Sequence, residues 1–130
     1  MNQHATAIQW REKGVLLVGP PGCGKSWLAW QLIQAGAKLV ADDQVILTRQ
    51  DNYWIANAPP DIRNKLYLRE QGFKEIPAIE NAIIEIIFQS DRPAFDLSLP
   101  PQINVPVIQI DFTSKNAAWS ITHHLRGLTG

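Results

Sequence analysis

Eight consecutive residues, Gly19-Pro20-Pro21-Gly22-Cys23-Gly24-Lys25-Ser26, fit the pattern G-x-x-x-x-G-K-[ST] in full. Glycines let a backbone curl until successive N–H groups face one anion. A helix starting near Lys25 adds its unpaired first-turn N–H groups and the positive end of its dipole. Lys25 brings a point charge to the β- and γ-phosphates of a nucleotide, and the Ser26 hydroxyl brings an oxygen ligand to Mg²⁺. Cys23 reads as a small spacer whose backbone N–H matters, rather than as a redox group.

A second candidate is the pair Asp42-Asp43, 17 and 18 positions beyond Lys25. A strand neighbouring the phosphate loop would end there. Two adjacent carboxylates at that place can split two jobs. One binds Mg²⁺, directly or through water, and the other accepts a proton from an attacking hydroxyl. The same dipeptide also suits a plain turn into the next strand. Taken alone, His4 reads as a solvated side chain near a terminus, and His123-His124 as surface histidines.

These side chains need elements to hold them. Residues 5–10 alternate weakly, as a strand does, and Arg11-Glu12-Lys13-Gly14 reads as a turn with Gly14 free to take positive φ. Val15-Leu16-Leu17-Val18 is a continuous apolar run suited to a strand buried on both faces. Residues 25–35 carry apolar side chains at 28, 29, 32, 33 and 35, a helical spacing, with Gly36 placed as the cap. Residues 38–41 read as a strand running into the aspartates. Residues 45–48 and 53–58 read as strands around a Gln50-Asp51-Asn52 turn, ended by Pro59-Pro60.

The stretch 61–78 reads as a short helix or strand around Leu66–Leu68, then a loop at Gly72. Residues 79–88 read as a strand, 90–102 as a proline-bearing loop, 105–112 as a strand whose Pro106 suits an edge, and 115–126 as a closing helix. The expected fold is α/β: a mixed sheet with a phosphate-binding P-loop, a helix after that loop and a C-terminal helix. Residues 1–130 are expected to form one domain.

Composition narrows the function classes. Hydrophobic residues at 45% can supply a core, which excludes wholesale disorder. Twelve basic and twelve acidic residues cancel, so no overall positive field draws nucleic acid or an anionic membrane. One cysteine excludes an internal disulfide framework and a multi-cysteine zinc site. No apolar run approaches the roughly 20 residues that span a bilayer. The first residues lack the basic-then-apolar order of a signal peptide, so a cytoplasmic location is expected. Trp10, Trp27 and Trp30 are expected to be core or interface anchors.

Taken together, these residues resemble the catalytic domain of the HPr kinase/phosphorylase family, bacterial enzymes acting on a serine of the phosphocarrier protein HPr. Three features carry the likeness: His4 fifteen positions before Gly19, the loop GPPGCGKS, and LIQAGAKLVADD at 32–43. The likeness is closest over residues 4–48. It implies ATP and Mg²⁺ as cofactors, with Lys25 and Ser26 on phosphate and metal and Asp42 left for the metal. It implies Asp43 as general base towards the serine hydroxyl and as general acid in reverse. His4 is implied as a catalytic or positioning residue, and Arg92 matches a catalytic arginine. Lys115-Asn116-Ala117 resembles an Arg-Asn-x-Ala patch tied in the family to dephosphorylation. The resemblance further implies HPr as partner, a hexameric homo-oligomer, and the short form without the N-terminal domain.

One stretch departs from the family pattern I-E-V-R-G-L-G. In Leu66-Tyr67-Leu68-Arg69-Glu70-Gln71-Gly72, Tyr67 stands in place of a metal-binding glutamate and Glu70 in place of a glycine. Arg69 and Gly72 remain. The leading expectation is an ATP- and Mg²⁺-dependent HPr(Ser) kinase with reverse phosphorylase activity, regulating carbohydrate metabolism. The alternatives are a small P-loop kinase or NTPase with another acceptor, and a nucleotide-binding regulatory module with little chemistry.

Overall fold

In the computed structural model, which describes residues 2–69, 71–92 and 103–129, the apolar run 15–18 forms the centre of an eight-stranded sheet. It lies in β3 (Lys13–Val18), with β2 (Ala5–Trp10) antiparallel on one side and β9 (Asn81–Ser90) parallel on the other. Val15 and Leu17 enter one buried cluster, and Leu16 and Val18 a second. Alternate side chains of a strand point to opposite faces, so both faces of β3 are covered, as the continuous run predicts.

The sheet order is β1-β5-β6-β9-β3-β2-β4. Here β1 is Asn2–Gln3, β4 Lys38–Ala41, β5 Val45–Gln50 and β6 Tyr53–Asn57. The last strand, β10 (Val107–Ile110), pairs in parallel with the end of β9. Pro106 sits just before it and gives its carbonyl to the Ile87 N–H at 2.9 Å, a role that needs no proline N–H.

Two helices cover the first face. α1 (Lys25–Gln34) contributes Leu28, Ala29 and Leu32, and α2 (Ala117–Thr129) contributes Ile121 and Leu125. Each buried leucine there stabilises the fold by about 1.5–3 kcal/mol. α1 ends as expected at Gly36: the Gly36 N–H bonds Ile33 O and the Ala37 N–H bonds Leu32 O, a Schellman motif. The second face joins small residues, Ala5, Ala7 and Ala41, to Val45, Leu47 and Ala56 of β5 and β6. No helix of the described residues is long and apolar enough to cross a membrane.

A separate antiparallel hairpin, β7 (Lys65–Leu68) and β8 (Gly72–Glu75), resolves the 61–78 stretch. Its alternation puts Leu66 and Leu68 into the α1-side cluster and leaves Lys65 and Tyr67 outward. Lys74 Nζ lies 5.3 Å from the Trp30 ring centre, a cation–π contact that ties β8 to α1.

Several expectations are corrected. The first turn is Arg11-Glu12 alone, with φ of 47° and 72°, and Gly14 belongs to β3. His4 lies between two strands, β1 and β2. Gly72 begins β8 instead of a loop, and a short 3-10 turn at Pro60–Ile62 precedes β7. The strands expected at 79–88 and 105–112 run Asn81–Ser90 and Val107–Ile110, and the closing helix starts at Ala117. β4 is not the immediate neighbour of β3, because β2 lies between them, antiparallel to both. Glu70 and most of the expected 90–102 loop lie outside the described residues.

Candidate functional site

Residues 19–24 connect the end of β3 to the first residue of α1. The curl depends on Gly22 and Gly24, at φ of 79° and 103°, where a side chain would be strained. No side chain caps α1, and its first bond runs from the Leu28 N–H to Gly24 O at 2.9 Å. The first-turn N–H groups therefore have no intrahelical partner and suit an anion. Cys23 is a spacer: its buried sulfur packs where a Cβ on Gly19 would stand, 2.5 Å away.

The Lys25 ammonium is buried against the loop's own carbonyls. Nζ donates to Gly19 O at 2.8 Å and to Pro20 O at 3.3 Å. Arg92 reaches the same loop from the end of β9, its Nη1 donating to Gly22 O at 3.3 Å. The sequence separates these two residues by 67 positions, and the parallel β3–β9 pairing brings them to one edge of the sheet.

Because β2 is antiparallel to both β3 and β4, those two strands run the same way and end at the same edge. Asp42, just beyond β4, is buried and faces three donors. Ser26 Oγ lies 2.8 Å from its Oδ1 and 2.9 Å from its Oδ2. Thr6 Oγ1 donates to Oδ1 at 2.9 Å, and the Tyr67 N–H donates to Oδ2 at 3.3 Å. Burial pushes the Asp42 carboxyl above its ordinary pKa. The Ser26, Thr6 and Tyr67 bonds pull the other way, and the neighbouring Asp43 charge adds to the rise.

Asp43 points the other way. Its φ is 72°, its side chain is 65% exposed, and its Oδ1 lies 3.5 Å from His4 Nε2. That nitrogen is itself buried and has no hydrogen-bond partner among the described residues.

A cavity of about 1100 Å³ opens over this ground, lined by Gly22, Gly24, Lys25, Ser26, Asp42 and Asp43 on one side. The hairpin lines the other through Lys65, Tyr67, Arg69, Gln71 and Phe73. Tyr67 does reach the cavity, but it is its N–H that meets Asp42, while its ring lies 5.0 Å from the Phe73 ring. Trp27, expected as an anchor, is 50% exposed at the cavity wall, whereas Trp10 is buried and Trp30 half-buried as expected. His123 and His124 are exposed on α2, and Lys115-Asn116-Ala117 forms the entrance to that helix.

Among the described residues no group of three or more His, Cys, Asp and Glu side chains could cage a metal ion. Ser26 Oγ and the Asp42 carboxylate supply two hard oxygen donors side by side. Mg²⁺ is commonly held by one or two protein oxygens together with phosphates and water, so this donor set fits a Mg²⁺–nucleotide.

The site thus gathers His4, Lys25, Ser26, Asp42, Asp43 and Arg92 around the loop. Sequence reasoning missed Thr6. Its signal was a hydroxyl inside the otherwise apolar ATAI of β2, since a buried hydroxyl needs a partner.

The architecture is a mixed α/β one, dominated by its sheet and carrying two helices. A family model described as the HPr Serine kinase C-terminal domain matches residues 1–81, and the chain belongs to that family. It is 38% identical over 81 residues to HPr kinase/phosphorylase 1 of Oceanobacillus iheyensis, covering 61% of this chain and 26% of that protein. It is 30% identical over 114 residues to the HPr kinase/phosphorylase of Peptoclostridium acidaminophilum, covering 75% of this chain and 37% of that protein. The chain spans about a quarter of the length of the first curated relatives it matches. Its fold is similar to the solved Hpr(Ser) kinase/phosphatase from Coxiella burnetii, with a TM-score of 0.84 and 23% identity over 99% of this chain and 90% of that one.

Proposed function

We propose that residues 1–130 are a P-loop kinase catalytic domain that transfers the γ-phosphoryl group of ATP to a serine of HPr, and reverses that transfer, in the cytoplasm. The observation that carries this reading is the meeting of Ser26 and Asp42 beside the loop, with Asp43 turned outward at the same edge. Lys25 and the backbone N–H groups of residues 22–26 bind the phosphates, Pro20 and Pro21 having none to give. Ser26 and Asp42 hold Mg²⁺, which would neutralise charge on the β- and γ-phosphates.

In the forward direction the serine oxygen bonds to the γ-phosphorus as the bond to ADP breaks, and Asp43 takes the hydroxyl proton. His4, 3.5 Å away, faces the carboxylate that receives it. In reverse Asp43 returns a proton to the serine oxygen while inorganic phosphate takes up the phosphoryl group. Arg92, anchored on the Gly22 carbonyl, stands where a guanidinium can meet transferring phosphate. Like the family it resembles, the chain is proposed to work as a homo-oligomer, a hexamer.

The test is transfer of labelled γ-phosphate from ATP to purified HPr, followed by addition of phosphate. Labelled HPr that loses its label on adding phosphate is the expected result. Transfer to another acceptor would reassign the substrate, and nucleotide bound without turnover would make the chain a binding module.

A further inference from the structure

Thr6 is fully buried on β2, the strand that separates β3 from β4. Its hydroxyl stands between the two aspartates. Oγ1 donates to Asp42 Oδ1 at 2.9 Å and accepts the Asp43 N–H at 3.4 Å. A hydroxyl has one proton and two lone pairs, so both contacts are satisfied at once. The Ala5 N–H adds a bond to Asp43 O at 3.2 Å, which fastens the same turn from the next residue of β2.

The two neighbours face opposite ways. Asp42 turns inward to Ser26. Asp43 is held in the left-handed region, at φ 72°, with its carboxylate outward near His4. Aspartate enters the left-handed region more readily than most residues, and the two bonds from β2, to the Asp43 N–H and to its carbonyl, fix it there. We propose that Thr6 is a positioning residue that sets the division of labour between the aspartates, keeping Asp42 on Ser26 and Asp43 on the acceptor side.

This role rests on the nucleotide-binding function proposed above. Packing alone does not call for threonine: valine has nearly the same shape and suits a strand at least as well. Nor is the hydroxyl replaceable by Ser26. When Ser26 turns to a bound ligand, Thr6 and the Tyr67 N–H are the donors that remain on Asp42.

The test compares wild type, Thr6→Val and Thr6→Ser by calorimetry of ATP binding with and without Mg²⁺. Without Mg²⁺ the three affinities are expected to agree. The gain in affinity on adding Mg²⁺ is expected to shrink roughly tenfold in Thr6→Val, as for loss of one hydrogen bond to a charged group, and to return in Thr6→Ser. If Thr6→Val does not fold, Thr6→Cys, which keeps the volume and weakens the donor, is read in the same way. An unchanged Mg²⁺ gain in the variant without the hydroxyl overturns the role, as does failure of Thr6→Ser to restore it. A wild type that binds no nucleotide overturns the proposed function and this role with it.

Discussion

Ser26 Oγ lies within 2.9 Å of both carboxylate oxygens of Asp42, although the residues are 16 positions apart and belong to different elements. The first turn of a helix and the end of a strand two places away in the sheet share one hydrogen-bonded contact. Asp42 is buried at that contact, and burial has a thermodynamic consequence.

Burial raises the Asp42 pKa in the folded protein. Between the ordinary carboxylate value and the raised one, the folded chain binds more protons than the unfolded chain. The contribution of Asp42 to stability therefore falls as pH rises through that window, and the whole penalty is present above it. Asp42→Asn removes this titration. The melting temperature of Asp42→Asn minus that of wild type is expected to be highest at neutral pH and to decrease as pH is lowered through the window. Thermal melts of both proteins across pH check this. A difference that does not change with pH would show that the fold does not perturb Asp42.

Lys25 already has partners, the carbonyls of Gly19 and Pro20. Lys25→Ala removes the charge proposed to meet phosphate together with the bonds that hold the loop. A charge-assisted contact is typically worth about 1.5–3 kcal/mol, so ATP affinity is expected to fall roughly tenfold or more. Calorimetry measures it. Equal affinity in the two proteins would remove Lys25 from the binding site.

Asp43 is exposed, so Asp43→Asn changes its chemistry with little cost to folding. With Asp43 in its proposed role as general base, its loss costs roughly 10²–10⁴ in rate. Phosphotransfer is expected to drop by that range while ATP binding survives. The reverse pattern, with Asp42→Asn abolishing transfer and Asp43→Asn sparing it, would exchange the two roles.

The sequence made the loop, the helix behind it and the aspartate pair legible because short-range chemistry dictates them. Glycines at fixed offsets, a helical apolar spacing and a Gly36 cap each act within a few residues. What stayed illegible depends on strand order. Nothing local says that β2 inserts between β3 and β4, so Thr6 was not seen as a partner of Asp42. Gly14 shows the same limit. It reads as a turn residue, yet the hairpin turns at Arg11-Glu12, and Gly14 is small because Ile83 of β9 passes over it. A Cβ there would collide with the Ile83 backbone oxygen and carbon. Gly14→Ala is expected to destabilise the fold by about 1–3 kcal/mol, as overpacking does, seen as a lower denaturant midpoint. An unchanged midpoint would mean that β3 and β9 are further apart than described.

Tyr67 is one of the two residues at which the sequence reading has the chain leave the family pattern, and it lines the cavity with Ser26 and Asp42. The backbone contribution of this position survives any substitution except proline, because it is the N–H that meets Asp42. The side chain is another matter. A phenol is a poor ligand for a hard cation, which prefers carboxylate oxygen. In the outward alternation of β7, a glutamate at 67 would bring a carboxylate to the same wall of the cavity. It would add a third oxygen donor and one negative charge beside Ser26 and Asp42. Tyr67→Glu is therefore expected to lower the Mg²⁺ concentration that gives half-maximal phosphotransfer, by several-fold, and to weaken metal-free nucleotide binding by like-charge repulsion. Titrating Mg²⁺ against activity in both proteins decides it. Superimposable curves would mean that position 67 serves Asp42 through its backbone alone.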